Sequence, residues 1–422
     1  MTVMSAKPIN LLAVSYYYPP ANNPRAVQVS RLFEYLDDVS TVLVCGDKYS
    51  ADDRIDPTAN SRAETFVSKC LRVKFAQPSW KRASARVAYQ FGIQLWEKSP
   101  DRYRDWKPDV LRVVQDFTGT TAYKPDVIIT FGSPMSDHLI GLEWKKRYRV
   151  PWIAHFSDPW ADNPLKGYNS LHKRINFGME RSVIKHADRV VFTSQETVDL
   201  VMHKYAKRLA AKARVLPHAY EPRWFAKPEK RNGSSIVVRY LGDLYMQRTP
   251  APLFRALKKV LSSDARLLED VRFEFVGTNT DFNLSDIGYD DLPKGLVEFR
   301  PTVDYVSSLA LMSSADGLMV IDAPASKSVF LPSKLIDYIG AARPVMGITP
   351  PGTAASLIDE LGGWVIDPRD DVRTEQTVRS FISFLRERSK DSGCAWGNPV
   401  TRKRFEPATV AASFKAIVAE LV

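Results

Sequence analysis

Cysteine is scarce in this sequence and long apolar runs are missing. The three cysteines, Cys45, Cys70 and Cys394, are far apart and fit neither a zinc nor a redox spacing. That excludes a disulfide scaffold and points to a reducing cytosol. No stretch approaches the roughly 18 consecutive apolar residues of a membrane-spanning helix. Residues 1–10 lack the basic-then-apolar pattern of a secretory signal, so none is expected. No Gly-x-Gly-x-x-Gly follows the first apolar run, and there is no Walker motif, Gly-x-Ser-x-Gly elbow or His-Glu-x-x-His; a dinucleotide site, a P-loop, a serine hydrolase and a zinc protease all lose their signature. Zinc-finger spacing, an aromatic RNP-like strand and any Lys/Arg run of five are also absent, so nucleic acid is not an expected partner.

What remains is an ordinary globular mixture. The chain has 422 residues, 45% apolar and 25% charged, with a net charge of +11, and at about 150 residues per domain it has room for two or three. Short apolar runs at 9–15, 41–45, 125–131, 151–156, 189–193 and 213–217 read as buried strands. Helical spacings lie between them at 25–36, 134–147 and 175–186. Alternating buried strands and helices predict a parallel, doubly wound α/β sheet. A polar, turn-rich connector follows at 222–235, and the alternation restarts at 236–241, with strands at 271–276, 297–299, 317–321 and 344–347 and helices at 251–261, 305–313 and 333–341. The expected organisation is an N-terminal domain over 1–221, a linker, a C-terminal domain over 236–404, and a helix in 405–422 that crosses back to the N-terminal domain. Two such domains in series are expected to put a ligand cleft between them.

In open α/β sheets the chemistry sits at the strand ends, and there the sequence resembles a known family. Tyr18-Pro19-Pro20 with Arg25, the run 124–129, and Trp152-Ile153-Ala154-His155-Phe156-Ser157-Asp158-Pro159-Trp160 are similar to the acceptor-side half of glycosyltransferase family 4, in particular to bacterial polysaccharide enzymes carrying Asp-Pro-Trp. Tyr240-Leu241-Gly242-Asp243 with Arg248, and Leu331-Pro332-Ser333-Lys334-Leu335-Ile336-Asp337, are similar to its donor-side half. The resemblance implies a GT-B fold of two Rossmann-like domains. It also implies a nucleotide-diphosphate sugar as donor, a glycan or glycolipid acceptor, retention of configuration, and no cofactor or bound metal.

The residues fit that chemistry on their own terms. A sugar diphosphate gains charge on its leaving group, so fixed cations stabilise the transition state more than the ground state. Ser333 and Lys334 open a helix, and Arg248 lies in the loop beyond Gly242; both cations suit a diphosphate, or are solvated helix-start charges. Asp337, three residues on, suits a ribose diol, although family members commonly have Glu there and a further Glu where Val329 stands. Asp322, at the preceding strand end, is the candidate substitute for that lost carboxylate. His155 and Asp158 are the candidate catalytic pair: His155 can donate to a sugar hydroxyl or accept its proton, or both are core and capping residues. Family members often have Asp and Arg at the positions of His155 and Ser157. Tyr18 and Arg25 are the acceptor-side candidates, and His218, where related chains usually show Asn-Gly, is given no role.

The charge is uneven. Residues 69–112 hold eleven Lys/Arg against four acids, with Trp80, Tyr89, Phe91, Trp96, Tyr103 and Trp106 interleaved. That composition suits an anionic membrane surface or a packed insertion with a wet face. The expected function is therefore a cytoplasmic, membrane-peripheral glycosyltransferase acting on a cell-envelope or exopolysaccharide glycan. A sugar-nucleotide epimerase of the same frame and a non-catalytic scaffold are the alternatives.

Overall fold

The computed structural model describes residues 8–21, 23–47, 62–75, 99–225, 235–244, 247–277, 283–388 and 395–422. The chain divides into two compact units, Met1–Ala219 with Pro407–Val422, and Tyr220–Glu406.

The first unit is a seven-stranded parallel sheet. Its strands are β1 (Ile9–Val14), β2 (Val39–Gly46), β3 (Lys69–Val73), β4 (Val127–Phe131), β5 (Trp152–Phe156), β6 (Arg189–Phe192) and β7 (Ala213–Val215). They lie in the order β3-β2-β1-β4-β5-β6-β7. Every residue of β4 and β5 is buried, as a strand covered on both faces requires. The period of two sends alternate side chains to opposite faces. On one face Leu11, Ala13, Leu43 and Ile129 meet α1 (Pro24–Glu34) through Val29 and Phe33, and the last helix (Pro407–Ala419) through Val410 and Phe414. On the other, Leu12, Val14 and Ile128 meet α2 (Lys107–Thr120), α3 (Ser136–Tyr148) and α4 (Ser170–His186) through Val110, Trp144 and Val183. α4 starts five residues before the spacing suggested, because Asn169 caps it by accepting from the His172 amide at 2.9 Å. α5 (Gln195–Met202) and α6 (Lys207–Ala210) lead to β7.

The second unit repeats the plan with six parallel strands: β8 (Ile236–Leu241), β9 (Val271–Val276), β10 (Val297–Arg300), β11 (Gly317–Ile321), β12 (Val345–Ile348) and β13 (Trp364–Ile366). Their order is β10-β9-β8-β11-β12-β13, the doubly wound arrangement whose switch point lies between β8 and β11. One face packs on α7 (Ala251–Asp264) and α11 (Asp371–Arg388). The other packs on α8 (Tyr305–Ser313), α9 (Ser333–Ala341) and α10 (Thr353–Glu360); α12 (Pro399–Lys403) and α13 (Pro407–Ala419) close the chain. One polar pair interrupts this core. Arg239 and Glu274 are register partners on β8 and β9, 2.5 Å apart, with side chains 7% and 2% exposed. The Arg239 guanidinium also donates to the Leu311 carbonyl at 2.7 Å and the Ser314 hydroxyl at 2.8 Å. A buried ion pair survives only when its remaining hydrogen-bond capacity is filled in this way.

Candidate active site

In the first unit the loops after β1, β4 and β5 leave the same edge of the sheet, across its switch point. Asn23 caps α1 by accepting from the Arg25 amide at 2.8 Å, which turns Arg25 toward the strand ends. Its side chain is buried. One guanidinium nitrogen donates to His155 Nδ1 at 3.0 Å and to the His155 carbonyl at 3.2 Å, and the group lies 5.3 Å from the Phe131 ring centroid. Burial pushes the Arg25 pKa down to about 10, with Asp158 and Asp137 opposing the shift, so the cation persists at neutral pH.

An arginine can only donate. His155 Nδ1 is therefore the acceptor, and a neutral ring with that tautomer carries its proton on Nε2. Burial, and then the Arg25 charge, hold the His155 pKa well below the ordinary imidazole value. The ring can thus donate a hydrogen bond through Nε2, and the proton-accepting role expected of it is corrected: the only acceptor nitrogen is engaged by Arg25. His218 lies 6.1 Å away, centroid to centroid, also held neutral chiefly by burial. A cavity of about 20 Å³, room for one water, is lined by Arg25, Phe131, His155 and His218 among others.

Asp158 follows two residues beyond β5. Its carboxylate accepts from the Ser157 hydroxyl at 3.2 Å. Burial pushes its pKa up, against the Ser157 hydrogen bond and the Arg25 and Lys166 charges, a direction that suits a proton-transfer group. The rest of the Asp-Pro-Trp turn is structural. Trp160 is buried and its indole N–H donates to Asn176 Oδ1 at 2.7 Å. The Ala161 amide donates to Glu180 Oε2 at 2.9 Å, and Glu180 is held in turn by Tyr205 at 2.8 Å and Lys204 at 2.7 Å. Asn176 and Glu180, four apart on α4, were not found from the sequence; the row His172, Asn176, Glu180 and Ile184 along one helix face was the available signal.

Two further expectations change in this unit. Tyr18 has 0% exposure and its hydroxyl donates to the Ala63 carbonyl at 2.7 Å; the loop after β1 packs it into the core beside Phe33, so it offers no surface to an acceptor. Tyr103 and Trp106 are likewise core residues, which removes two rings from the basic, aromatic segment. Trp80, Tyr89, Phe91 and Trp96 lie outside the described residues.

In the second unit the switch point collects the donor-side candidates. Gly242 follows β8 at φ 143°, its amide donating to the Val276 carbonyl at 2.9 Å. Arg248 pairs with Asp322 at 3.2 Å, and Asp322 also accepts from the Thr349 hydroxyl at 3.1 Å. Asp322 stands immediately after β11, so the carboxylate considered as a substitute lies at the switch point beside Arg248. Burial raises its pKa, with Arg248 opposing. Ser333 and Lys334 open α9 after Pro332. The Lys334 ammonium lies 5.5 Å from the Tyr305 ring centroid and 3.5 Å from the Ser308 hydroxyl. Asp337 is buried and accepts from the Tyr305 hydroxyl at 3.1 Å. Lys334 and Asp337 thus share a helix face, as their spacing requires, and Tyr305 on α8 is the ring they both touch. Val329 is buried, with its carbonyl accepting from the Thr353 hydroxyl at 3.1 Å. The loop before α10 approaches this stretch so closely that a Cβ on Gly352, at φ 139°, would meet the Ser328 carbonyl, which makes glycine obligatory there. Among the described residues no group of three or more His, Cys, Asp or Glu could hold a metal ion.

Residues 42–219 match the family described as glycosyl transferase 4-like domain. No curated protein sequence matches the chain. Among solved structures, the lipopolysaccharide outer core galactosyltransferase WaaB is similar at 13% identity and a TM-score of 0.58, covering 98% of this chain and 100% of that one. An alpha,alpha-trehalose-phosphate synthase (UDP-forming) from Burkholderia vietnamiensis is similar at 11% identity and a TM-score of 0.62, covering 98% and 100%. A candidate UDP-N-acetylglucosamine 2-epimerase from Listeria monocytogenes is similar at 10% identity and a TM-score of 0.55, covering 97% of each chain. At these identities the structures establish the fold, which is GT-B. Residues 42–219 match the glycosyl transferase 4-like domain within it. Among the described residues no helix is long and apolar enough to cross a membrane.

Proposed function

We infer that this GT-B chain, whose residues 42–219 match a glycosyl transferase 4-like domain, moves a hexosyl or related group, with retention of configuration, from a nucleotide-diphosphate sugar to a cell-envelope or exopolysaccharide glycan in the lipid-linked form that the basic segment favours. The observation that carries the reading is the placement of Arg25, His155 and Asp158 at the strand ends of one doubly wound unit, with Arg248, Asp322 and Lys334 at the switch point of the other. The donor falls to the second unit. There Gly242 lets the backbone approach a phosphate, Arg248 and Lys334 supply cations, and the α9 amides and dipole add to them. Asp337 meets the ribose hydroxyls. The acceptor falls to the first unit, where the His155 Nε2–H donates to a sugar oxygen and Asp158 takes a hydroxyl proton. No side chain is assigned as a covalent nucleophile; the leaving phosphate assists on the face from which it departs.

Support for the donor class comes from the resemblance to family 4 and from the UDP-forming synthase that shares the fold. The test separates the two units. His155→Ala and Asp158→Asn should lower turnover with donor KM unchanged, whereas Lys334→Ala should weaken donor binding about tenfold or more, the loss of one charged hydrogen bond. If His155→Ala weakens donor binding as much as turnover, the division of labour is wrong. The epimerase-like structure favours a second reading, in which the sugar nucleotide changes configuration and no acceptor is consumed.

We place the protein in the cytoplasm against the inner face of the cell membrane, on the strength of the basic residues 69–112. Residues 76–98 of that segment are outside the described residues. Near an anionic surface each basic residue contributes about 1 kcal/mol, so Lys81→Glu with Arg82→Glu and Arg86→Glu should abolish co-sedimentation with anionic vesicles. Equal binding by the parent to neutral vesicles would remove the electrostatic basis.

A further inference from the structure

Two of the three cysteines, unrelated by any sequence spacing, meet in the sheet. Cys45 stands in the buried run of β2 and Cys70 on β3, the edge strand. The parallel register pairs Cys45 with Arg72 and Leu43 with Cys70, so the cysteines are diagonal neighbours on one face, and their sulfurs lie 3.5 Å apart. A disulfide needs about 2.05 Å, a closure of about 1.5 Å that side-chain rotation and movement of an edge strand can supply. The two thiols differ in access: Cys45 is buried and Cys70 partly exposed. They differ also in charge. The hydrogen bond between them lowers the Cys70 pKa, with Arg72 assisting against burial, and raises that of Cys45. The Arg72 guanidinium lies 3.7 Å from the Cys45 sulfur and donates to the Pro19 carbonyl at 2.8 Å, so it ties the thiol pair to the loop after β1.

We propose that Cys45 and Cys70 are a reactive dithiol that closes to an intramolecular disulfide on reaction with a low-molecular-weight disulfide such as oxidised glutathione. The Cys70 thiolate attacks one sulfur of the oxidant, forming the mixed disulfide and releasing one glutathione thiolate. Cys45 then loses its proton to solvent and attacks the Cys70 sulfur, displacing the second glutathione. Two protein thiols are oxidised and one oxidised glutathione is reduced to two thiols. In a reducing compartment such a bond is transient and returns to the dithiol.

The experiment uses the full-length chain carrying Cys394→Ser, so that only the two thiols remain. It is treated with oxidised glutathione under native conditions, alkylated after unfolding, digested and read by mass spectrometry. The expected result is a peptide pair joined through Cys45 and Cys70, two hydrogens lighter than the reduced peptides, with no retained glutathione and full reversal by dithiothreitol. Cys45→Ser in the same background, which keeps a side chain of similar size, should stop at glutathione bound to Cys70. Retention of glutathione on Cys70 when Cys45 is present, alkylation of both cysteines after treatment, or a Cys45→Ser protein that takes up no glutathione would each overturn the proposal.

Discussion

His138 tests the description of the first unit quantitatively. It is the third residue of α3, buried under the loop after β4, with Nδ1 2.8 Å from the Thr130 hydroxyl and its ring 4.2 Å from that of Phe156. Burial, and then the Arg25 charge, push its pKa down to about 3. A depressed folded pKa means that the unfolded chain binds the proton first. The stability this group contributes is present above the unfolded pKa of about 6.5 and is lost as pH falls toward the folded value. Between about pH 7.5 and about pH 5.5 the unfolded imidazole goes from about one-tenth to about nine-tenths protonated while the folded one stays neutral, which withdraws about 1.4 kcal/mol. The neighbouring carboxyls Asp101 and Asp137, raised by burial, act in the opposite sense and are present in parent and variant alike. His138→Asn keeps an acceptor for Thr130 and abolishes the titration. It should be less stable than the parent at both pH values, yet lose about 1.4 kcal/mol less on acidification. A chain of two units does not guarantee one transition, so the assay is native-state hydrogen exchange at the amides of β4, Val127–Phe131, which reports the opening of that unit. Parallel pH dependences in parent and variant would refute a neutral, buried His138.

Glu274→Leu should destabilise the second unit by about 3–5 kcal/mol by leaving Arg239 buried without its counter-charge, and adding Arg239→Met should recover most of that loss; exchange at the β9 amides measures both. Trp160→Phe removes the indole donor to Asn176 and should cost the first unit about 1–3 kcal/mol, lowering turnover with donor KM unchanged.

The frame was legible because parallel strands buried on both faces leave continuous apolar runs: Val127–Phe131 and Trp152–Phe156 are visible without any tertiary information. β3 was not, since an edge strand reading Lys-Cys-Leu-Arg-Val carries charges that a buried strand excludes. α11 did have a signal, with Val378, Phe381, Ile382 and Leu385 at helical spacing, but charged residues surround it. At the candidate site the residue types were readable and their partners were not. Arg25 meets His155 across 130 residues, and that contact decides which imidazole nitrogen carries the proton. Tyr18 shows the converse. Its motif resembles a family's acceptor loop, yet the direction of its side chain depends on tertiary partners, the Ala63 carbonyl and Phe33, that the local sequence does not show. Cys45 and Cys70 show it again, since their proximity follows from the β2–β3 register alone.

Retaining transfer requires that a glycosyl group leave its nucleotide and arrive on an acceptor with the same configuration. Real-time NMR of the full-length protein with a panel of nucleotide-diphosphate sugars and a polyprenyl-diphosphate-linked sugar acceptor measures this. The predicted result is release of nucleoside diphosphate in step with a new glycosidic anomeric signal of the donor's own configuration, and loss of that signal in Asp158→Asn. A nucleotide sugar that changes stereochemistry without releasing its diphosphate, or a product of inverted configuration, would contradict it.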